Sequence, residues 1–574
     1  MPMTKFLQRW MPGMVMLMSY QRAWFRHDLV AGLALTAILI PVGMGYAEAS
    51  GLPAITGLYA TILALITYAL FGPSRIMVLG PDATMTAMIA AIIVPMAGGS
   101  VAHTVALAGA LAILTGGWCL LIGLARLGLI ADLLSKPIRI GFLNAIALTV
   151  LVGQLPKVFG FPVAANTLAE SALGVVQGVV QGRTHLISLF IGASCLALIL
   201  TLKRFRPHWP GILLAVLLAL VASAVLNLRQ TAGISVVGVL PVGLPALQWP
   251  AVSMTEFMQL VPGALMIAAL AFADTSVLSR SLALRGGYSV SQNQEMVALG
   301  FANVASGVFQ GFSVSCSTSR TPVAESAGAR TQVTGLIGAA AIALLLILAP
   351  GLLTHLPTSA LAAVVIAACL SFADLKGMWA LWRLRRVEFV LSMTSFLGVA
   401  FIGVIQGIFI TIALAVAVLV WNAWHPHFTV LARVDGRKGY HDLKRHPEGR
   451  QVPGLVLFRW DAQLFFANAE LFHDEVLRVA AMAPTPTLRV VIVADAITDI
   501  DVTAAERLEA LHDELQRQGV ELYFAGLKGL VRDRLAHYGT LDALGSDIFS
   551  PTVGSAVNLY QESHQVEWKD WEDS

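Results

Sequence analysis

Residues 311–330 read GFSVSCSTSRTPVAESAGAR, a run of small polar residues carrying an arginine, Arg320, between two apolar segments long enough to cross a bilayer. A fixed charge at membrane depth is expensive, so where one occurs it marks function. Broken helices whose amide ends face a bound anion are the transporter solution to holding such a solute. Ser319 and Arg320 are expected at such a helix start; the competing reading puts Arg320 in an exposed loop. A second interrupted stretch, RIMVLGPDATMT at 75–86, has the same build. Each begins with an extended piece, Ile76 to Leu79 and Phe312 to Ser315, after which Gly80-Pro81 and the Ser/Thr cluster start half-helices. Non-helical backbone at this depth is tolerated only where protein or a water-filled cavity surrounds it. Two half-helix N-termini facing one another concentrate positive potential, so an anion is the expected guest.

Three acids lie in or beside this proposed cavity: Glu48, Asp82 and Asp274. Two unit charges about 4 Å apart interact by about 4 kcal/mol at an effective dielectric near 20. Three ionised carboxylates therefore oppose an incoming anion more than one arginine and two helix ends attract it. At least one is expected to take up a proton as the substrate enters, which makes proton–anion symport the working hypothesis. Glu48 has a simpler reading too, as a group that caps or pairs at the end of its span. Tyr46-Ala47-Glu48-Ala49-Ser50 is echoed by Phe272-Ala273-Asp274-Thr275-Ser276, so Asp274 occupies the equivalent place in a second copy.

The elements that must position these groups follow from composition. Of 574 residues, 57% are hydrophobic and only 12% charged. Soluble domains usually carry about twice that charged fraction. Repeated apolar runs of about 18 residues or more make this an α-helical polytopic membrane protein. Apolar segments fall at 29–49, 54–71, 77–97, 104–125, 129–153, 185–202 and 210–226, and again at 257–278, 291–309, 317–327, 332–353, 358–373, 387–403 and 405–423. With a cytosolic N-terminus, the inner loops hold Arg126, Arg139, Lys203, Arg280, Arg330 and Arg383, among others. The outer loops keep only Lys157, Arg183 and Arg229. That split obeys the positive-inside rule and supports fourteen spans. An odd number of spans per copy inverts the second, giving a seven-plus-seven inverted repeat.

The organisation read from these patterns has a cytosolic interfacial N-terminus at 1–28 and a first transmembrane repeat at 29–226. An external Pro/Gly-rich connector at 227–255 leads to the second repeat at 256–423. A basic linker at 424–450 precedes a small soluble α/β module at 451–565 and a tail at 566–574. Strands are expected in LVLFRWDAQLFF, LRVVIVAD and VELYFAG, and helices at 468–481, 503–518 and 527–536. No cleavable leader is apparent after Trp10, so an inner-membrane location with a cytoplasmic soluble module is expected.

The same patterns exclude much. A net charge of +3 does not suggest nucleic acid as a partner. The four cysteines lack paired spacing, so neither a disulfide framework nor a metal site is indicated. No phosphate-binding loop of the GxxxxGK[ST] type is present, which argues against an ATP-driven pump, and no cofactor is expected. Scattered histidines without a nucleophile–base pair argue against an enzyme.

The chain resembles the sulfate permease (SulP) family, whose animal members include prestin and pendrin. The likeness runs through DLVAGLALTAILIPVGMGYAEASGLPAITGLYA, GPSRIMVLGPDATMTA, VGVLPVGLP, NQEMVALGFANVASGVFQG and SRTPVAESAGART, and through LFFANAELF and DIDVTA in a C-terminal STAS domain. It implies core and gate domains, a homodimer, and a substrate site between the half-helices of spans 3 and 10, flanked by spans 1 and 8. Carried across, Asp82, Ala83 and Thr84 lie at the span-3 helix start, and Ser319 and Arg320 at the span-10 start. Asp274 matches the family's span-8 acid, and Glu48 matches an acid linked to proton coupling. Val42 stands where the family often has glutamine, so sulfate cannot be assumed and a C4-dicarboxylate is an equal candidate. Similarity to STAS domains of anti-sigma-factor antagonists makes Thr503 a candidate phosphorylation site; its plainer reading is a helix cap. The implied partners are a small inorganic or organic anion, protons and membrane lipid. Rival functions are an anion exchanger, an uncoupled anion channel, or a membrane sensor that signals through the STAS domain.

Overall fold

The computed structural model describes residues 10–126, 136–163, 167–206 and 209–571. The first residues of the expected 129–153 segment, residues 1–9 and residues 572–574 lie outside the described residues. The chain divides into two compact units, residues 1–414 and 415–574.

The helices of the membrane region, in chain order, are α1 (Pro12–Met18), α2 (Phe25–Ala49), α3 (Ala54–Phe71), α4 (Ala83–Met96), α5 (Val101–Leu124), α6 (Lys136–Phe159), α7 (Leu168–Val180), α8 (Leu186–Phe205) and α9 (Gly211–Val225). They continue with α10 (Met254–Gly286), α11 (Gln292–Val308), α12 (Arg320–Ser326), α13 (Val333–Leu348), α14 (Thr358–Phe372), α15 (Leu375–Leu384), α16 (Arg386–Leu397) and α17 (Val404–Trp424). Each of the fourteen expected spans carries one of these helices. Among the described residues, eight helices are long and apolar enough to cross a membrane. The short ones include α4 and α12, which follow the two-residue strands β1 (Leu79–Gly80) and β2 (Ser315–Cys316).

Two helices occupy stretches read as connectors. In α7 and α15 the runs are too short to register as spans, and both are amphipathic. In α15, Asp374 accepts the Gly377 N–H at 2.7 Å, which starts the helix. Met378 and Leu381 turn inward while Trp379 and Trp382 stay exposed. Aromatic residues of that kind settle at the membrane–water boundary.

Spans 1, 2 and 4 pack on spans 8, 9 and 11, and spans 5 and 6 on spans 12 and 13. Lipid supplies no hydrophobic drive between helices, so close approach of small residues does the joining. Gly109 and Gly116 of α5 meet Gly307 and Gly300 of α11. A Cβ on Gly116 would come within 2.6 Å of the Gly300 carbonyl oxygen, and one on Gly307 within 2.4 Å of the Gly109 carbonyl oxygen. In α2, Gly43 faces Gly57 of α3 just as closely.

One buried acid ties the start of span 1 to the start of span 11. Asp28 is fully buried. It accepts from Arg330 N at 2.7 Å, Thr331 N at 3.1 Å, Thr331 Oγ1 at 2.7 Å, Thr334 Oγ1 at 2.9 Å and Tyr20 Oη at 3.2 Å. The carboxylate thus satisfies amides just ahead of α13, which α13 itself cannot pair.

The second unit holds a sheet with β3 (Phe428–Arg433), β4 (Tyr440–Asp442), β5 (Leu455–Trp460), β6 (Arg489–Val493), β7 (Glu521–Ala525) and β8 (Phe549–Ser550), in the order β4-β3-β5-β6-β7-β8. The β5, β6 and β7 ladders are parallel, with helices α18 (Ala469–Ala481) and α19 (Val502–Arg517) as crossovers. Helices α20 (Gly529–Tyr538), α21 (Thr540–Leu544) and α22 (Val553–His564) complete it. The expected linker at 424–450 needs correction: its residues 428–433 and 440–442 are strands of this sheet. FTVLAR alternates weakly, and Arg433 hides the pattern by being a buried charge, paired to Asp570 at 2.8 Å. The strand beginning LVLFRW also stops at Trp460 rather than running on to LFF.

Substituting Asp28→Ala leaves several buried donors unpaired, so a loss of about 3 kcal/mol or more is expected. A clear fall in the melting temperature of the detergent-purified protein checks it.

Candidate functional site

Strands β1 and β2 form an antiparallel ribbon inside the helical unit, with Leu79 opposite Cys316 and Gly80 opposite Ser315. Beyond the ribbon, Ser317 N donates to Val78 O at 2.9 Å, and Val78 N donates to Thr321 Oγ1 at 3.1 Å. The two half-helices therefore start from one shared scaffold. At the start of α4, Asp82 is the cap: its Oδ2 accepts from Thr84 N at 3.1 Å and Thr84 Oγ1 at 2.8 Å. At the start of α12, Ser317 rather than Ser319 supports the helix, its Oγ accepting from Arg320 N at 3.1 Å.

Arg320 is 1% exposed, so the loop reading fails. Its Nε donates to Ser317 Oγ at 2.8 Å and its Nη2 donates to the Pro81 carbonyl oxygen. One guanidinium thereby joins the leg before α12 to the leg before α4. Its Nη1 is buried and has no hydrogen-bond partner. It lies beside Gly80, where a Cβ would stand 3.0 Å from it. Among the described residues no carboxylate forms an ion pair with Arg320.

The acids are divided. Thr84 Oγ1 lies 2.8 Å from Asp82 Oδ2 and 3.5 Å from Asp274 Oδ2, so one hydroxyl sits between two carboxylates, both half-buried. Ala83 is buried at the first position of α4. Val42 is buried one residue after Pro41 in α2, a helix that packs on both half-helices. Glu48 is placed differently from the expectation of an acid free in the cavity. It lies at the end of α2, 3.2 Å from Lys157 Nζ, which also donates to the Glu48 carbonyl oxygen at 3.3 Å. The plainer sequence reading, a pair at the end of the span, describes this geometry. Lys157 is far away in sequence, which is why it was not foreseen.

Sequence reasoning placed Gly80-Pro81 and the Ser/Thr cluster at the half-helix starts but not the bonds that Ser317, Pro81 and Thr321 make there. It also missed the fully buried Glu295, which accepts from Tyr68 Oη at 2.6 Å and Ser74 Oγ at 2.5 Å. A separate apolar cavity of about 220 Å³, lined by Ala110, Ile113, Trp249, Pro250 and Phe257, shares no residue with the acid–arginine site. In the second unit Asp501, not Thr503, caps α19, accepting from Ala504 N at 2.8 Å. Thr503 is exposed in the first turn. No group of three or more potential metal ligands occurs among the described residues.

With this geometry in hand, the comparisons with known proteins are specific. The family described as the sulfate permease family matches residues 25–395, and the STAS domain matches residues 446–556. The chain is 38% identical over 552 residues to a probable sulfate transporter of Mycobacterium tuberculosis, covering 96% of this chain and 98% of that one. It is 31% identical over 494 residues to solute carrier family 26 member 6 of Homo sapiens, covering 81% of this chain and 64% of that one. The structure of murine solute carrier 26 family member A9, an anion transporter in the inward-facing state, superposes with a TM-score of 0.88 at 22% identity, covering 97% of this chain and 95% of that one.

Arg320→Ala removes charged hydrogen bonds from both legs together with the Nη1 donor. About two such bonds correspond to roughly 100-fold weaker anion binding. Arg320→Lys, which cannot fork between Ser317 and Pro81, is expected to fall between the two. Calorimetric titration reads the effect, and wild-type affinity in Arg320→Ala would remove this residue from the site.

Proposed function

This chain belongs to the sulfate permease family, and we propose that it is a proton-coupled symporter of sulfate or a C4-dicarboxylate, working by alternating access. That it is a multi-pass anion transporter follows from the family; coupling and substrate are the inference. The observation that carries it is the buried guanidinium of Arg320, joined to both legs, with Nη1 unpartnered and, among the described residues, no carboxylate at ion-pair distance. A buried charged donor left without an acceptor is costly, and a bound anion would supply one. Val42, Asp82, Ala83, Thr84, Asp274, Ser319 and Arg320 are the substrate-site residues of this reading.

Proton coupling rests on Asp274. Its carboxylate lies close to that of Asp82, with the Thr84 hydroxyl between them, and among the described residues no cation pairs with it. Two carboxylates held so close do not both stay ionised readily as an anion arrives. Glu48 joins the coupling only in a state that opens its pair with Lys157. That pair is also the observation favouring a second reading, an exchanger or uncoupled channel in which Glu48 is structural.

The proposed setting is the inner membrane, with a homodimer as the assembly and the N-terminus and STAS domain in the cytoplasm. The excess of Arg and Lys on one set of loops supports that orientation. Exposed at the first turn of α19, Thr503 has the access that phosphoregulation requires.

Purified protein in lipid vesicles tests the coupling. With one proton per cycle and no membrane potential, an outside-acid gradient of about one pH unit raises sulfate accumulation about tenfold. Asp274→Asn is expected to flatten that dependence. Glu48→Gln flattens it too if the Lys157 pair opens during the cycle, and leaves it intact if the pair is structural. Equal uptake with and without the gradient would replace symport by exchange or a channel.

A further inference from the structure

We propose that Asn303, on span 9 and outside the anion site, is a positioning residue that sets the affinity of that site by acting as a surrogate strand on the free edge of the β1–β2 ribbon. The proposal deepens the transport reading above and rests on it.

The ribbon has only two strands, and each leg extends beyond it as non-helical backbone. Inside a membrane protein such backbone needs partners on its outer edge as well as its inner one. On the leg before α12, Ser315 and Cys316 are in register with Gly80 and Leu79 of the other leg, whereas the backbone groups of Val314 are bonded on the side of span 9. There Asn303 Nδ2 donates to Val314 O at 2.9 Å, while Val314 N donates to Asn303 Oδ1, also at 2.9 Å. One carboxamide thus engages both backbone groups of one residue, as a neighbouring strand would. Its second Nδ2 proton goes to Leu299 O at 2.9 Å, which fixes the amide to its own helix. Asn303 is fully buried, and Ser306, one turn further along α11, adds a bond to Phe312 O at 2.7 Å.

The consequence runs along three residues. Val314 leads directly into Ser315 and Cys316, and then to Ser317, whose hydroxyl holds both the backbone and the Nε of Arg320. If Val314 drifts, the Ser317–Arg320 pair shifts against Pro81, which belongs to the other leg. A displacement of even about 1 Å in such a constellation is enough to lose productive geometry.

The chemistry of the amide supplies the test. A protonated carboxylic acid presents the same donor–acceptor pair as a carboxamide, whereas a carboxylate presents acceptors alone. Asn303→Asp and Asn303→Leu are compared with the wild-type protein by calorimetric titration with sulfate, each at neutral and at acid pH, with thermal melting to confirm the folded state. The expected result at neutral pH is a dissociation constant at least tenfold above wild type for both variants. At acid pH, relative to wild type at the same pH, Asn303→Asp returns to within about threefold while Asn303→Leu does not. Wild-type affinity in both variants at both pH values overturns the proposal. So does an equal deficit of Asn303→Asp at both pH values, which reports lost packing alone. If Asn303→Leu does not fold, the pH-dependent recovery of Asn303→Asp still decides. A wild-type protein that binds no sulfate sinks the reading of the site instead, and the two failures are therefore distinct.

Discussion

Two stretches of non-helical backbone buried within a helical bundle impose the constraint on which the membrane unit depends. Every amide and carbonyl there that finds no partner costs free energy that lipid cannot return. The chain meets this by pairing the two stretches with each other through β1 and β2, then closing their outer edges with side chains. Asn303 and Ser306 close one, while Gln332 closes the other by donating from Nε2 to Ser74 O at 2.9 Å and Met77 O at 3.0 Å. Glu295 then fixes the Ser74 hydroxyl. Arg320 completes the scaffold by reaching from Ser317 to Pro81. Site and scaffold are thus one structure.

That economy explains how the charges are distributed. Asp28 and Glu295 are fully buried, yet each is engaged by hydroxyls or amides that tie separate segments together. Glu48 is neutralised by Lys157 at the end of its helix. Asp82 is occupied with capping α4. Of the acids around the site, Asp274 has the loosest tether, a 3.5 Å approach from Thr84. Four acids hold the fold in place. The one least engaged is the one to which the symport proposal gives the proton.

Much of this was legible in the sequence, because broken apolar runs and a lone arginine are local signals. Hydropathy pointed to the long apolar helices, while the two interrupted segments were read from their small polar residues and the lone arginine rather than from hydropathy. What escaped was long-range pairing. Nothing near Glu48 announces Lys157, and nothing near Asp28 announces Thr331 and Thr334. The strand at 428–433 escaped because basic residues surround it and a buried arginine ends it. In the second unit, Thr503 was weighed as a cap, but Asp501 reaches the first free amides from two positions earlier, where a side-chain acceptor belongs.

The two copies of the repeat share a short strand that leads into a half-helix and disagree in chemistry. Setting the half-helix starts in register matches Asp82 with Ser319, Ala83 with Arg320 and Thr84 with Thr321, each 237 residues apart. The first copy carries the acid at its cap and alanine at its first helical position. The second copy carries serine, then the arginine. A symmetric pair of arginines would place two cations against one small ribbon, and a symmetric pair of acids would repel any anion. Dividing the roles lets the same fold present one donor-rich end and one acid-bearing end to a single solute. In the proposed symport cycle the donor end draws the anion in, and the acid end sets the condition, protonation, under which it is welcome. On the symport proposal, it is this divergence of the two caps within a duplicated scaffold that would make binding depend on a second ion.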